Sequence, residues 1–188
     1  MDFDIAALSD DVPFGKRVVG LRDDHLADPA VCERLRRLWT EDGLILFRGG
    51  DTSQAVQIAL SKVFGPLEGH PVKEVVSDNP EIITVASEPG KGTVFEVDGQ
   101  VCGAWLAWHS DLIYHDRINH GGILRAVNLT SWGGRTGFID QIEAYDRLSD
   151  QTKAEIEDLA VVYRMCQIFD SPYATDSTVR ILKVADYT

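Results

Sequence analysis

Asp98-Gly99 sits at the centre of "TVFEVDGQVCG", with alternating residues on both sides of a dipeptide suited to left-handed turn conformations. A chain with this signal is committed there to an antiparallel hairpin, because strands joined by two residues cannot run parallel. The neighbouring stretches read as strands too. "EIITVAS" is a β-branched run after Pro80, and "GGILRAVNLTSWGGRTGFID" predicts two strands hinged at Gly133-Gly134. The last stretch, "DSPYATDSTVRILKVADYT", holds one alternating, strand-like piece.

Upstream of residue 80 the punctuation is helical. "DDHLADPAVCERLRRLWTEDG" predicts a helix opening after Asp28, with Pro29 at its first position and Gly43 just past its end. Val31, Leu35, Leu38 and Trp39 recur at helical spacing, which makes them a core-facing stripe. "GLILFRGG" is a short apolar run between glycines, hence a buried strand. "TSQAVQIALSKVFG" predicts a second helix capped by Thr52 or Ser53 and closed by Gly65. Two short helices follow in "QIEAYDRLSDQTKAEIEDLAVVY", the second capped by Ser149 or Asp150. Hairpins without regular βαβ alternation argue against a doubly wound fold. They favour a mainly β architecture with flanking helices (α+β), a sandwich or barrel with helices packed outside.

At 188 residues the chain suits a single domain, here taken as 1–188. A formal charge of -12 opposes nucleic-acid binding, which needs a basic footprint, and docking on anionic membrane lipid. No apolar run approaches the ~20 residues needed to cross a bilayer. The start, "MDFDIAALSDD", lacks the features of a secretory leader. Cys32, Cys102 and Cys166 are scattered and odd in number, as in reduced, buried thiols. The expected location is the cytoplasm.

The chemistry concentrates in "AWLAWHSDLIYHD", residues 104–116. On a strand, His109 and Asp111 would project to one face and converge. An imidazole beside a carboxylate is two thirds of the facial triad used by non-haem Fe(II). It equally suits a hydrogen-bonded core couple, a His–Asp dyad awaiting a nucleophile, or a fragment of a zinc site. Trp105 and Trp108 either wall a pocket or belong to the core. His115, Asp116 and His120 have neither strand nor helix spacing and read as a solvated loop. His25 lies in an acidic surface stretch and carries no signal.

Taken together and in order, "DGLILFRGG", "FGPLEGHP", "WHSD" and "LRAVNLTSWGGRTGFIDQIEAYDRLSD" resemble the TauD/TfdA family of Fe(II)- and 2-oxoglutarate-dependent dioxygenases. The resemblance runs over about residues 18–165 and is far more specific than the tripeptide. It implies a double-stranded β-helix, or jelly roll, flanked by helices. It implies Fe(II), 2-oxoglutarate as cosubstrate, and O2, with a small organic substrate hydroxylated as 2-oxoglutarate is decarboxylated to succinate. His109 and Asp111 match the first histidine and the carboxylate of the iron triad. Thr136, in "GGRT", matches the threonine that hydrogen-bonds the 2-oxoglutarate carboxylate; bare of context it is a β-branched residue after a Gly-Gly turn. His70, in "GPLEGHP", matches a position that often faces the primary substrate, though alone before Pro71 it reads as a loop histidine. Trp105 is the second candidate for substrate contact.

The family's third iron ligand is a later histidine, followed by an arginine that pairs with 2-oxoglutarate. After His120 the sequence holds no histidine, and Arg180 follows none, so neither role is assigned. The expectation is that this chain is part of a longer enzyme whose jelly roll closes elsewhere. The alternatives are a second chain supplying the missing strands, which leaves homo-oligomerisation open, or a shortened, inactive homologue that binds a small molecule or serves as a partner subunit. A hydrolase built on the His–Asp pair ranks last, since no G-x-S-x-G motif accompanies it.

Overall fold

In a computed structural model, residues 3–69, 79–86, 94–103, 108–163 and 179–183 are described. The chain divides into two compact units, Met1–Gly69 with Gly122–Ala160, and His70–Gly121 with Val161–Thr188.

The first unit opens with a hairpin that goes beyond the sequence expectation. β1 (Asp4–Ser9) and β2 (Val12–Val19) pair antiparallel, from Asp4 opposite Val19 to Ser9 opposite Val12. Its signal was legible in the alternation of Val12, Phe14, Lys16 and Val18 after Asp10-Asp11. A 3-10 helix over Asp23–Ala27 follows. His25 is part of its framework. The His25 Nδ1 accepts the Arg22 N–H at 3.1 Å, and the imidazole lies 5.3 Å from the ring of Phe3. The Arg22 guanidinium hydrogen-bonds Asp24 and holds that carboxyl below its usual value.

α1 (Pro29–Asp42) begins and ends where the sequence predicts. Asp28 accepts the Ala30 N–H at 2.8 Å, and Gly43 takes the left-handed conformation, φ 70°, that ends a helix without side-chain clash. Val31 and Leu35 are buried, Leu38 packs at the margin of the same core, and Trp39 meets the Phe64 ring edge-on at 5.6 Å. The chain returns as β3 (Ile45–Arg48), parallel to β2, so α1 is the crossover that such a pairing requires. β3 closes one edge of the sheet, in the order β1-β2-β3, and is half-buried along Ile45–Phe47. The expected buried strand is corrected to a half-buried one: an edge position leaves part of each residue to solvent.

α2 (Gln54–Phe64) starts at Ser53, whose Oγ accepts the Val56 N–H at 3.3 Å. The Arg36 Nε–H donates to the Val63 carbonyl at 2.7 Å, satisfying one of the acceptors that a helix end leaves open and fastening α1 to α2. The resulting core gathers Phe3, Val18, Leu21, Val31, Leu35, Leu60 and Val63.

Gly50 shows how closely the chain passes itself at the end of β3. A Cβ built there would lie 2.1 Å from the Leu21 carbonyl oxygen, a backbone atom that cannot rotate away. Gly50→Ala should therefore force the backbone apart and destabilise the unit by about 1–3 kcal/mol, the usual cost of overpacking. Chemical denaturation of the variant would show it, and an unchanged midpoint would contradict this close approach.

The rest of this unit behaves differently. Residues 122–139 form no strand pairing among the described residues, which corrects the two strands expected around Gly133-Gly134. The alternating pattern is present, but a strand exists only by hydrogen bonding to a neighbour. Its apolar side chains are correspondingly bare: Leu129 is 83% and Trp132 77% exposed. Then come the two short helices that the sequence predicts, α3 (Gln141–Asp146), capped by Asp140, and α4 (Asp150–Ile156), capped by Ser149, one of its two expected caps.

In the second unit, β4 (Val94–Val97), β5 (Gln100–Gly103) and β6 (Val179–Lys183) form an antiparallel sheet in the order β5-β4-β6. Asp98 (φ 50°) and Gly99 (φ 76°) are both left-handed, the requirement of the type I′ turn read from the dipeptide. β6 falls within the alternating piece expected near the end of the sequence. "EIITVAS" is corrected: within 79–86 only Ile83 makes an isolated bridge, and no strand forms.

One mixed sheet, one antiparallel sheet and four α-helices among the described residues agree with the α+β class. Among the described residues, no helix is long and apolar enough to cross a membrane. Cys32 is a free, half-buried thiol whose Sγ donates to the Leu26 carbonyl at 3.2 Å. The side chains of Cys102 and Cys166 lie outside what is described.

Candidate metal centre

His109 and Asp111 meet in the second unit. His109 Nε2 and Asp111 Oδ1 are 3.1 Å apart. The expected strand is not what joins them: residues 108–117 form bends and a turn, with Leu112 left-handed at φ 53° and the His115 N–H closing on the Leu112 carbonyl at 3.0 Å. A turn can also bring side chains at i and i+2 together, so the convergence holds while its cause differs. The pair is open to solvent, at 49% and 69% side-chain exposure. A buried core couple is thereby set aside.

The separation itself is informative. Two donors each about 2.1 Å from one cation, at right angles, lie about 3 Å apart. A 3.1 Å contact thus suits a direct hydrogen bond and equally the shared edge of a coordination sphere. Imidazole nitrogen and carboxylate oxygen are the donor types that Fe(II) takes in a facial triad. The residues present fit two of the three protein positions. Among the described residues, no three His, Cys, Asp or Glu side chains cluster closely enough to hold a metal ion. His115, Asp116 and His120 lie in the loop beyond, as expected, with the His115 ring edge-on to Tyr114 at 5.0 Å.

Thr136 belongs to the first unit, on the exposed span 122–139, just past Gly133 (φ 71°) and Gly134 (φ 63°). The bend before it is tied by the Thr130 hydroxyl, which donates to the Gly133 carbonyl at 3.2 Å. His70 and Trp105, the two expected substrate contacts, lie outside the described residues.

A polar network near the start of this span escaped the sequence reading. The Gln57 side-chain amide donates through Nε2 to the Ile123 carbonyl at 3.1 Å and accepts at Oε1 from Arg125 Nε at 2.8 Å. Arg125 NH1 also donates to the Thr52 carbonyl at 2.9 Å. Gln57 and Arg125 are 68 positions apart in sequence, and no local spacing could have paired them.

Comparison with known proteins agrees with the motifs. The model of the taurine catabolism dioxygenase TauD, TfdA family matches residues 4–180. An (S)-phenoxypropionate/alpha-ketoglutarate-dioxygenase of Sphingobium herbicidovorans is 31% identical, covering 84% of this chain and 52% of that protein. An alpha-ketoglutarate-dependent 2,4-dichlorophenoxyacetate dioxygenase of Cupriavidus pinatubonensis is 34% identical over 66% of this chain and 46% of its own. An alkylsulfatase of Acinetobacter baylyi is 27% identical over 79% of this chain and 44% of its own. The chain spans about half the length of the curated relatives it matches. No solved structure matches it. A family match across almost the whole sequence, with its motifs in order, means that this chain belongs to the TauD/TfdA dioxygenase family.

Proposed function

We propose that this chain is the iron- and cosubstrate-binding part of an Fe(II)- and 2-oxoglutarate-dependent dioxygenase that hydroxylates a small organic acid. The observation that carries the reading is the His109–Asp111 contact, within a chain that belongs to a dioxygenase family. On this reading residues 1–188 form one jelly-roll domain with its flanking helices, and the protein works in the cytoplasm. It binds neither nucleic acid nor membrane, consistent with the charge of -12.

His109 Nε2 and Asp111 Oδ1 would hold the iron, and a third ligand is required from outside the described residues. A carboxylate oxygen only accepts, so the contact is a hydrogen bond when Nε2 carries the proton. To offer its lone pair to a cation, the imidazole must move that proton to Nδ1 or release it. Thr136 would donate its hydroxyl to a carboxylate of 2-oxoglutarate, fixing the cosubstrate's orientation. His70 and Trp105 would line the substrate pocket, one polar and one apolar. Bound iron supplies the activation of O2, and the balance is one substrate C–H, one 2-oxoglutarate and one O2 giving one alcohol, one succinate and one CO2. Names among the relatives point to aryloxyalkanoates as the first substrates to try.

The test is succinate formation by the complete gene product with Fe(II), 2-oxoglutarate and 2,4-dichlorophenoxyacetate or phenoxypropionate. Succinate in step with product is expected. No succinate with any small acid would favour a binding or partner role instead, as would iron bound too weakly to survive dialysis.

A further inference from the structure

We infer that Leu112 is a positioning residue for the metal pair, its left-handed backbone setting the direction in which His109 and Asp111 present their donors. The inference rests on the iron-ligand roles proposed for those two residues. Among the described residues two that are not glycine have positive φ, Asp98 at 50° and Leu112 at 53°. Asp98 belongs to the type I′ turn, and its short polar side chain tolerates that conformation. Leucine has no such compensation, so the backbone at 112 is held against its own preference. Residues held in this way gather at functional sites, and this one directly follows Asp111.

The neighbouring residues show what the conformation does. Trp108, His109, Ser110 and Asp111 are exposed, whereas Leu112, Ile113, Tyr114 and His115 are half-buried. The half-buried part is closed by the His115 N–H on the Leu112 carbonyl at 3.0 Å and by the edge-on contact of the Tyr114 and His115 rings. The N–Cα bond of Leu112 is thus the joint between an arm that carries both donors and a turn that anchors it. Rotation about this bond leaves the 3.1 Å separation of the donors unchanged, because both lie on the same side of it. It swings them together. Returning φ to the ordinary negative range would turn the arm by more than about 100° relative to the turn. A cation shared with a third ligand needs the setting that faces the pair toward that ligand. Affinity then falls in proportion to the share of molecules in any other setting.

The experiment compares the complete gene product with its Leu112→Asn, Leu112→Gly, Leu112→Ile and Leu112→Val variants. Asparagine and glycine enter the left-handed region readily, while β-branched residues there are outliers. Hydrogen exchange of the His115 amide reports the turn without metal, and anaerobic calorimetry with Fe(II) reports the aim of the pair. The Asn and Gly variants should keep the turn and bind Fe(II) within about 3-fold of wild type, while Ile and Val exchange faster and bind roughly 10-fold more weakly. The reverse order, with Ile and Val like wild type and Asn and Gly weakened, would reduce Leu112 to apolar packing and overturn the inference. Equal affinity in all five proteins would overturn it too. If the β-branched variants do not fold, the other two decide: retained affinity supports the inference, and affinity lost in both sinks it. A wild type that binds no Fe(II) removes the iron reading itself, an outcome distinct from tight wild-type binding with variants that ignore the left-handed preference.

Discussion

Asp111→Asn should leave the protein folded and abolish 2-oxoglutarate turnover. The side chain is 69% exposed, and the hydrogen bond it makes to His109 can be accepted by an amide oxygen as well. Exposed substitutions of this kind move stability by about 0.5 kcal/mol or less, so the thermal midpoint should stay within about 2–3 °C. Fe(II) binding is another matter. On the proposed reading the amide removes the negative charge from a ligand position, and even the hydrogen-bonding partners of metal ligands are worth about 10–100-fold in affinity or activity. A direct ligand should exceed that, with succinate formation falling more than about 100-fold. The comparison separates chemistry from architecture: if the pair were only a surface hydrogen bond, the variant would turn over like wild type.

Leu35→Ala should have the opposite profile. Leu35 is fully buried in the cluster that joins α1 to the sheet. Its truncation removes apolar contact and leaves a cavity, at about 2–5 kcal/mol for sites of this type. For a unit of about 100 residues that corresponds to a fall of at least about 8 °C in the thermal midpoint. Circular dichroism during heating would measure it. A loss below about 1 kcal/mol would mean that α1 does not dock as described. Any loss of turnover should follow the unfolded fraction, because an aliphatic side chain in the core takes no part in the chemistry.

What was legible in the sequence follows the range of the interaction. α1 and α2 were read with their ends, and α4 with its start, because Asp28, Pro29, Gly43, Ser53, Gly65 and Ser149 act on backbone groups within a few residues of themselves. The Asp98-Gly99 turn was read because its dihedral demand falls on the two residues that carry it. The strands expected at 81–87 and in 122–139 failed for the complementary reason: alternation says which side a residue would face, while a ladder needs a partner that no local pattern guarantees. For His109 and Asp111 the pairing was right and the strand was wrong, since spacing of two brings side chains together in more than one backbone shape. The Gln57–Arg125 fastening was invisible, because neither residue is unusual where it stands.

Among the described residues, the seven buried residues of the α1–sheet core cluster all lie between Phe3 and Val63, and of those packed against them Ile123 alone comes from beyond Phe64. On the ribosome this core can close while residues 122–139 are still inside the exit tunnel, and domains generally do fold from the N-terminus during synthesis. The exposed apolar span then arrives at a surface already formed, with Ile123 and Arg125 the first of its side chains to find a place. Its remaining hydrophobic residues emerge bare. Until a neighbouring segment covers them, they are the part of the nascent chain most open to association with other chains.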